Sequence, residues 1–314
     1  MTTFPDSAVA VEHAWLRTRP AVEWPTLVLI FAVYAAWLAI TFWSSHLPLV
    51  VVTIIGAPIL TLHSSLQHEI LHGHPTRSRA FNRWLGSVPL SLWIPYESYR
   101  VSHLIHHRDE RLTDPLDDPE SYYWMERQWQ QLSPVSRVLV KMQMTLAGRM
   151  LVGPVWIICR YWTFQAGLIL KGDKATCRIW SEHALHLVPV VAWLVFVARM
   201  DLITYVLAMV YPGMAILLIR SFAEHRANPS VPGRTAIVED ATILGPLFLY
   251  NSLHSAHHEA PSLPWYRIPA WYRANRDRLI EANGGLVYHG YLDVARRYLF
   301  RPHDVAKHPL VRAP

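Results

Sequence analysis

The sequence predicts an all-α integral membrane protein with four transmembrane helices arranged as two hairpins. Of its 314 residues, 52% are hydrophobic and only 17% are charged, which is unusual for a water-soluble protein of this size. The hydrophobic residues are also grouped into runs, and no charged residue stands between Trp24 and Trp43. Because a helix needs roughly 20 apolar residues to cross the hydrocarbon core, this run is long enough to span a membrane.

Three further runs approach span length, and we expect them at about 47–62, 183–200 and 202–219. The first run is too long for the core of a signal peptide, so we expect it to stay in the membrane. Segment 151–170 is also apolar, but Arg160 near its centre would cost about 3 kcal/mol inside a membrane. We therefore expect an interfacial or protein-packed helix there. A single domain over 1–314 is the simplest organisation, since no repeat or long flexible linker interrupts the chain.

The distribution of Lys and Arg predicts the orientation in the membrane. Of the 29 such residues, 14 lie between Gln67 and Ser181 and 12 lie from Arg220 onward, whereas the short turns within the hairpins contain only Arg199. The positive-inside rule therefore places 67–181 and 220–314 in the cytoplasm. The net charge of +6 does not indicate nucleic-acid binding, because no nucleic-acid module is recognisable.

Histidines form the main chemical signal. Eight of the 18 fall into three groups with the sequences HEILH, HLIHH and HSAHH, namely His68 and His72; His103, His106 and His107; and His254, His257 and His258. On a helix, positions i, i+3 and i+4 share one face, so each HxxHH sequence would direct three imidazoles to one point. Imidazole suits borderline metals, and eight imidazoles oversupply one tetrahedral zinc. The sequence therefore predicts an all-imidazole site for two metal ions.

Two other interpretations of these histidines remain open. HEILH also matches the HExxH motif of zinc proteases, in which Glu69 would be the general base, but this leaves both HxxHH groups without a role. A membrane metal carrier would explain histidines near a bilayer but not their one-face spacing on three segments. His74, which follows the first group, is expected to point away from the His68 and His72 face, and we leave it out of the site.

The three groups resemble the histidine boxes of the membrane fatty acid desaturase and hydroxylase superfamily, most closely those of bacterial desaturase-like hydrocarbon oxygenases. The resemblance covers roughly His63 to Pro269. It implies a four-helix membrane bundle with a cytoplasmic helical cap, two iron ions cycling between Fe2+ and Fe3+, and O2 as co-substrate. It also implies a further ligand at His225, before the third box. The expected location is a bacterial inner membrane with the active site on the cytoplasmic side.

Four polar residues near the boxes are expected to support the ligands. Asn251 stands three residues before His254 and would orient a ligand or hold a metal-bound water, unless it is a helix cap. Asp114, Asp117 and Asp118 lie in the segment LTDPLDDPESYY, which resembles an acidic stretch in several relatives. They would accept the second N–H of ligand imidazoles, or else form a solvated acidic loop.

The resemblance implies an O2-dependent desaturase that abstracts hydrogen from unactivated methylenes. Fatty acyl chains are the first expected substrate, hydrocarbons the second and carotenoids the third, and a hydroxylase or other monooxygenase remains the alternative. The chain has no Gly-rich dinucleotide fingerprint and only two cysteines, so electrons are expected from a separate ferredoxin or rubredoxin. Arg273, Arg276 and Arg278 would suit such an acidic carrier or anionic lipid headgroups.

Overall fold

A computed structural model of the protein describes residues 15–309, and these are mostly helical. The longer helices before residue 200 are α1 (Trp24–Phe42), α2 (Leu49–Leu71), α3 (Arg79–Gly86), α4 (Tyr96–His106), α5 (Glu126–Gln131), α6 (Pro134–Gln143), α7 (Leu146–Leu170) and α8 (Lys174–Ala192). After it follow α9 (Leu202–Tyr205), α10 (Tyr211–Glu224), α11 (Leu244–Leu247), α12 (His254–Glu259), α13 (Ile268–Ala282) and α14 (Gly290–Tyr298). Strands β1 (Ile237–Glu239) and β2 (Val287–His289) pair in parallel, with Ile237 opposite Val287.

Within the described residues, four helical segments are long and apolar enough to cross a membrane, and this confirms the predicted number. They are Trp24–Phe42, Leu49–Leu71, Lys174–Val197 and Leu202–Glu224. The third continues from α8 through a π-helical stretch, Trp193–Val197, and the fourth joins α9 and α10 through another, Val206–Val210. Helix α7, with Arg160 near its middle, is not among the four.

The second and fourth spans are longer than their apolar runs. The second continues to Leu71, past the expected end near 62, and the fourth continues to Glu224, past the expected end near 219. The added turns contain polar residues that the protein itself buries, since His68 is 5% and Glu69 6% exposed. Hydropathy alone therefore ends these helices too early, because it cannot detect burial of polar side chains against protein.

The chain divides into two compact units. Among the described residues, one unit contains 20–101 and 153–217, and the other contains 15–19, 102–152 and 218–309. The first of these has an apolar core around Leu194 and Met209. In that core the indole N–H of Trp37 donates to the hydroxyl of Tyr205 over 2.9 Å, and this hydroxyl donates to the Leu90 carbonyl over 2.6 Å. We call this part the span unit.

The other part, which we call the histidine unit, has its own core around helix α12. This helix has only six residues, so packing rather than its own hydrogen bonds must hold it in place. Ala256 and Ala260 pack against Tyr272 and Leu279 of α13. The backbone N–H of Ser255 also donates to the carbonyl of Ala236 over 3.2 Å. The third histidine box is therefore fixed from two sides.

Candidate metal centre

Seven of the predicted ligands lie in the histidine unit. His103 and His106 lie in the last turn of α4, and His107 is the next residue. Helix α12 carries His254, His257 and His258. His225 directly follows the end of α10. All of them except His107 are buried. The imidazoles form two groups.

The first group consists of His106, His225, His254 and His258. The Nε2 atom of His225 lies 3.0 Å from that of His106 and 2.8 Å from that of His254. The Nε2 atom of His258 lies 3.1 Å from that of His254. The ligand atoms of all four residues lie within 4.8 Å of one another. His225, which was expected only from the family resemblance, therefore contacts a histidine of the second box and one of the third.

The opposite ring nitrogens fix the tautomers of this group. Nδ1 of His106 lies 3.0 Å from a carboxylate oxygen of Asp118, and Nδ1 of His225 lies 3.2 Å from the carbonyl oxygen of Arg234. Both oxygens can only accept, so each Nδ1 carries a proton, and each ring in its neutral form keeps its lone pair on Nε2.

His254 is held in the same way. Its Nδ1 donates to the side-chain oxygen of Asn251 over 3.0 Å, and a carboxylate oxygen of Glu224 lies 3.3 Å from the same nitrogen. Asn251 was expected to orient a ligand or to cap a helix, and the contact with His254 is the orienting one. The Glu224 carboxylate also pairs with Arg220 over 2.8 Å.

The first group fits a bound metal ion. In the neutral form of the rings, lone pairs would face one another at about 3 Å and repel, and a cation, either a metal ion or a proton, between them removes this repulsion. With metal–nitrogen bonds of about 2.1 Å, two imidazoles at right angles on one ion would have their nitrogens about 3.0 Å apart. The observed separations of 2.8 to 3.1 Å match this value.

The second group in this unit contains His103, His107 and His257. Nε2 of His107 lies 3.0 Å from Nε2 of His103 and 3.0 Å from Nε2 of His257. Nδ1 of His103 lies 2.9 Å from a carboxylate oxygen of Glu120, which fixes this tautomer also. The rings of His107 and His258 stack with centroids 4.3 Å apart, so the two groups are neighbours. The arrangement suits two ions rather than one.

Burial and charge determine the protonation of these imidazoles. Burial lowers the pKa well below 6.5 for His225, His254, His257 and His258. These rings are therefore neutral, which is the form that binds metals. Burial would also lower the pKa of His106, but the charge of Glu120 and the hydrogen bond to Asp118 outweigh it and raise the pKa to about 9. The negative charges of Glu120 and Asp118, which favour a proton on His106, would equally favour a metal cation at its Nε2.

The first box lies in the span unit. His68 is in the last turn of α2 and His72 caps its end, with ring centroids 5.0 Å apart. Helix α2 ends before His74, so His74 takes no part in a helical face. Its side chain is fully buried, and its Nδ1 lies 2.6 Å from a carboxylate oxygen of Glu23. The carboxylate of Glu69 lies 3.8 Å from the other ring nitrogen of His74.

The acidic segment contributes one of its three predicted aspartates. Asp118 accepts a hydrogen bond from Nδ1 of His106. Among the contacts of the described residues, Asp117 pairs with Arg111 at the surface, and Asp114 accepts the backbone N–H of Leu116 within a turn. Of these three aspartates, Asp118 is therefore the one that contacts a predicted ligand histidine among the described residues.

Sequence reasoning missed two carboxylates that contact predicted ligands. Glu120 stands two residues after Asp118 in the same acidic segment, and Glu224 directly precedes His225. Their closeness in sequence to a box or ligand was the available signal. A cavity of about 40 Å³ lies beside them, lined among others by Tyr122 and Arg149, with room for a few water molecules.

Comparison with known proteins agrees with this geometry. A family model described as fatty acid desaturase matches residues 44–291. An sn-1 acyl-lipid omega-3 desaturase (ferredoxin) of Synechocystis is 22% identical over an alignment of 240 positions, and the match covers 64% of this chain. The match spans 60% of that relative's length.

Proposed function

The chain belongs to the fatty acid desaturase family, and on that premise we propose that it is an O2-dependent di-iron desaturase of fatty acyl chains. Desaturase or related oxygenase function follows from the family. The observation that supports the metal site is the facing arrangement of Nε2 atoms at 2.8 to 3.1 Å in the first histidine group. Imidazole nitrogens this close repel one another in their neutral form, and a metal ion shared between them would remove that repulsion.

We propose all nine predicted histidines as iron ligands. Seven are supported by the two groups of the histidine unit, and His68 and His72 are included on the spacing of the first box. Bound iron would supply the reduction of O2 and the removal of hydrogen from an unactivated methylene. Iron is the proposed metal because imidazole coordinates iron as well as zinc and copper, and because the family carries out oxidative chemistry.

The residues around the ligands hold the site in a binding-competent state. Asp118, Glu120 and Asn251 keep protons on three Nδ1 atoms, so that Nε2 atoms stay available. Burial of the imidazoles excludes bulk water, which protects a reactive oxidant from side reactions. Together these contacts fix tautomer, orientation and environment.

Fatty acyl chains are the proposed substrate, before hydrocarbons and carotenoids. The Synechocystis relative is described as an acyl-lipid desaturase, and the four apolar helices would give the protein direct access to lipid. A hydroxylase or other monooxygenase remains the second candidate, because the two reactions share a ligand set. They differ in where the substrate carbon is placed.

A separate ferredoxin or rubredoxin is the proposed electron donor, and the same relative is described as ferredoxin-dependent. Two of the three arginines expected on the docking face also form ion pairs within the protein. Arg276 donates to Glu239 over 2.6 Å, and Arg278 donates to Glu259 over 2.6 Å. These two arginines are therefore partly neutralised within the protein, while all three, with Arg273, remain proposed to face an acidic carrier or anionic lipid headgroups. We also propose a bacterial inner membrane location with the site on the cytoplasmic side.

A zinc protease is not carried forward. In the HExxH interpretation Glu69 would activate a water on the metal held by His68 and His72. Its carboxylate instead shares a buried cluster with Glu23 and His74. The two HxxHH boxes, which that interpretation leaves unused, form the facing imidazole groups.

Mass spectrometry of lipids tests the proposed function. Cells that express the protein together with a ferredoxin and its reductase would be compared with cells expressing His258→Ala, with and without O2. An acyl lipid lacking two hydrogens, formed only by the unaltered chain with O2, is expected. A product that gains one oxygen would instead establish a hydroxylase, and equal products in both strains would overturn the proposal.

A further inference from the structure

Helix α6 of the histidine unit directs its apolar residues outward. Val135 is 69%, Val138 56% and Met142 43% exposed, and their spacing places them on one face of the helix. The buried residues of this helix are Val140 and Gln143. A helix on the surface of a water-soluble domain normally has the opposite arrangement, with its apolar stripe toward the core.

The end of α14 extends this apolar surface. The backbone N–H of Ala147 donates to the carbonyl of Leu299 over 3.0 Å, and that of His303 donates to the carbonyl of Met144 over 2.7 Å. These bonds hold the end of α14 beside the residues that follow α6. Phe300, in this segment, is 79% exposed. We call Val135, Val138, Met142, Leu299 and Phe300 the α6 surface.

Basic side chains accompany the α6 surface. Lys141, Arg296 and Arg301 are exposed on the same two segments. The one acidic side chain of α14, Asp293, is paired with Arg297 over 2.7 Å. The surface thus combines apolar side chains with an excess of positive charge.

We propose that the α6 surface lies in the headgroup region of an anionic bilayer. Its apolar side chains would reach the acyl boundary, about 5–10 Å below the headgroups, as in other amphipathic helices that lie on membranes. Lys141, Arg296 and Arg301 would meet lipid phosphates, since clustered basic residues beside an apolar face favour anionic lipid. The same chain contains four candidate membrane spans, so the protein as a whole is expected in a bilayer. This inference goes beyond the proposed function and does not depend on it.

Depth-dependent quenching tests the inference. Cys159 and Cys177 would be replaced with Ser, and a fluorophore attached to a Val138→Cys variant of the full chain in nanodiscs. The matched control is Asp277→Cys on α13, whose side chain is 97% exposed. With brominated acyl chains in phosphatidylglycerol discs, we expect loss of fluorescence at position 138 and none at 277. Aqueous iodide should quench position 277 alone.

Two results would overturn the inference. Iodide quenching at 138 equal to that at 277, without bromine quenching, would place the helix in water. Energy transfer between labelled copies without bromine quenching would show that a second copy of the chain covers the surface. The charge component is tested by Lys141→Glu with Arg301→Glu, which should reduce bromine quenching at 138. A melting temperature like that of the unlabelled protein, measured on each labelled variant, separates these outcomes from failure to fold.

Discussion

Nδ1 of His106 lies 3.0 Å from Oδ1 of Asp118, and both side chains are buried. Asp118 also accepts the backbone N–H groups of Thr113 and Glu120, so it fixes both the imidazole and the loop that follows. A buried carboxylate that holds a ligand imidazole makes the metal-binding nitrogen more basic. This contact would therefore link a loop of the acidic segment to the affinity of the proposed metal centre.

Replacement of Asp118 with Asn should weaken the centre while keeping the shape of the side chain. We expect a loss of about 10- to 100-fold in metal affinity or turnover, the usual effect of removing such a partner. Chelator competition on the purified protein measures the affinity. Asp117→Asn is the matched control, because Asp117 pairs with Arg111 at the surface, and it should change neither quantity. Equal losses in the two variants would contradict the assignment.

Glu120→Gln should affect the second histidine group. Glu120 contacts Nδ1 of His103, and its neutral replacement would hold that imidazole less firmly. We expect the purified variant to retain less iron per chain than the unaltered protein. Glu126→Gln serves as the control, since Glu126 forms an exposed pair with Lys307. Full iron content in Glu120→Gln would show that this carboxylate does not support the ligand.

The pair between Arg278 and Glu259 should stabilise the third box. The Glu259 side chain is 1% exposed and directly follows His258, whereas Arg278 is 33% exposed. Arg278→Gln leaves a buried carboxylate without its cation, which costs about 3 kcal/mol when such a pair is broken. For a chain of this size, we expect the melting temperature in detergent to fall by about 5 °C.

A double variant separates charge compensation from other effects of Arg278. Glu259→Gln combined with Arg278→Gln removes both charges, and we expect it to recover most of the lost melting temperature and iron content. Arg273→Gln should change neither. If the double variant were as unstable as Arg278→Gln alone, the buried charge would not be the cause.

Acid should destabilise the fold partly through His303. This buried side chain hydrogen-bonds with the hydroxyl of Tyr288 over 2.8 Å, and burial lowers its pKa from 6.5 to about 4. Between these values the unfolded chain binds a proton that the folded chain does not, so stability falls as the pH drops from about 6.5 to about 4. The full loss is about 3 kcal/mol. Melting curves of His303→Gln should depend less on pH over this range, and identical slopes would contradict the prediction.

Much of the fold and of the candidate site could be predicted from the length of apolar runs and the spacing of histidines. Apolar run length identified four spans, because a membrane requires about 20 apolar residues whatever the fold. The i, i+3, i+4 spacing identified the imidazoles of HLIHH and HSAHH, because a helix brings these positions to one face. Both are local properties of the chain, so no tertiary information was needed.

Other features depend on tertiary contacts and could not be predicted. The turns of the acidic segment, where Thr113 has a φ of 71°, bring Asp118 and Glu120 into contact with histidines. Asp114 and Asp117 point elsewhere in the same segment. Nothing in the composition of that segment distinguishes its carboxylates. The burial of His74 against Glu23 likewise joins residues far apart in sequence.

The measurement that tests the central claim most directly is the metal content of the purified protein, unaltered and with His258→Ala. The account predicts about two iron ions per chain in the unaltered protein, as expected for two histidine groups, and a clear loss in His258→Ala. His303→Ala, which removes a buried histidine outside both groups, should keep its iron. Zinc in place of iron, or iron unaffected by His258→Ala, would contradict the account.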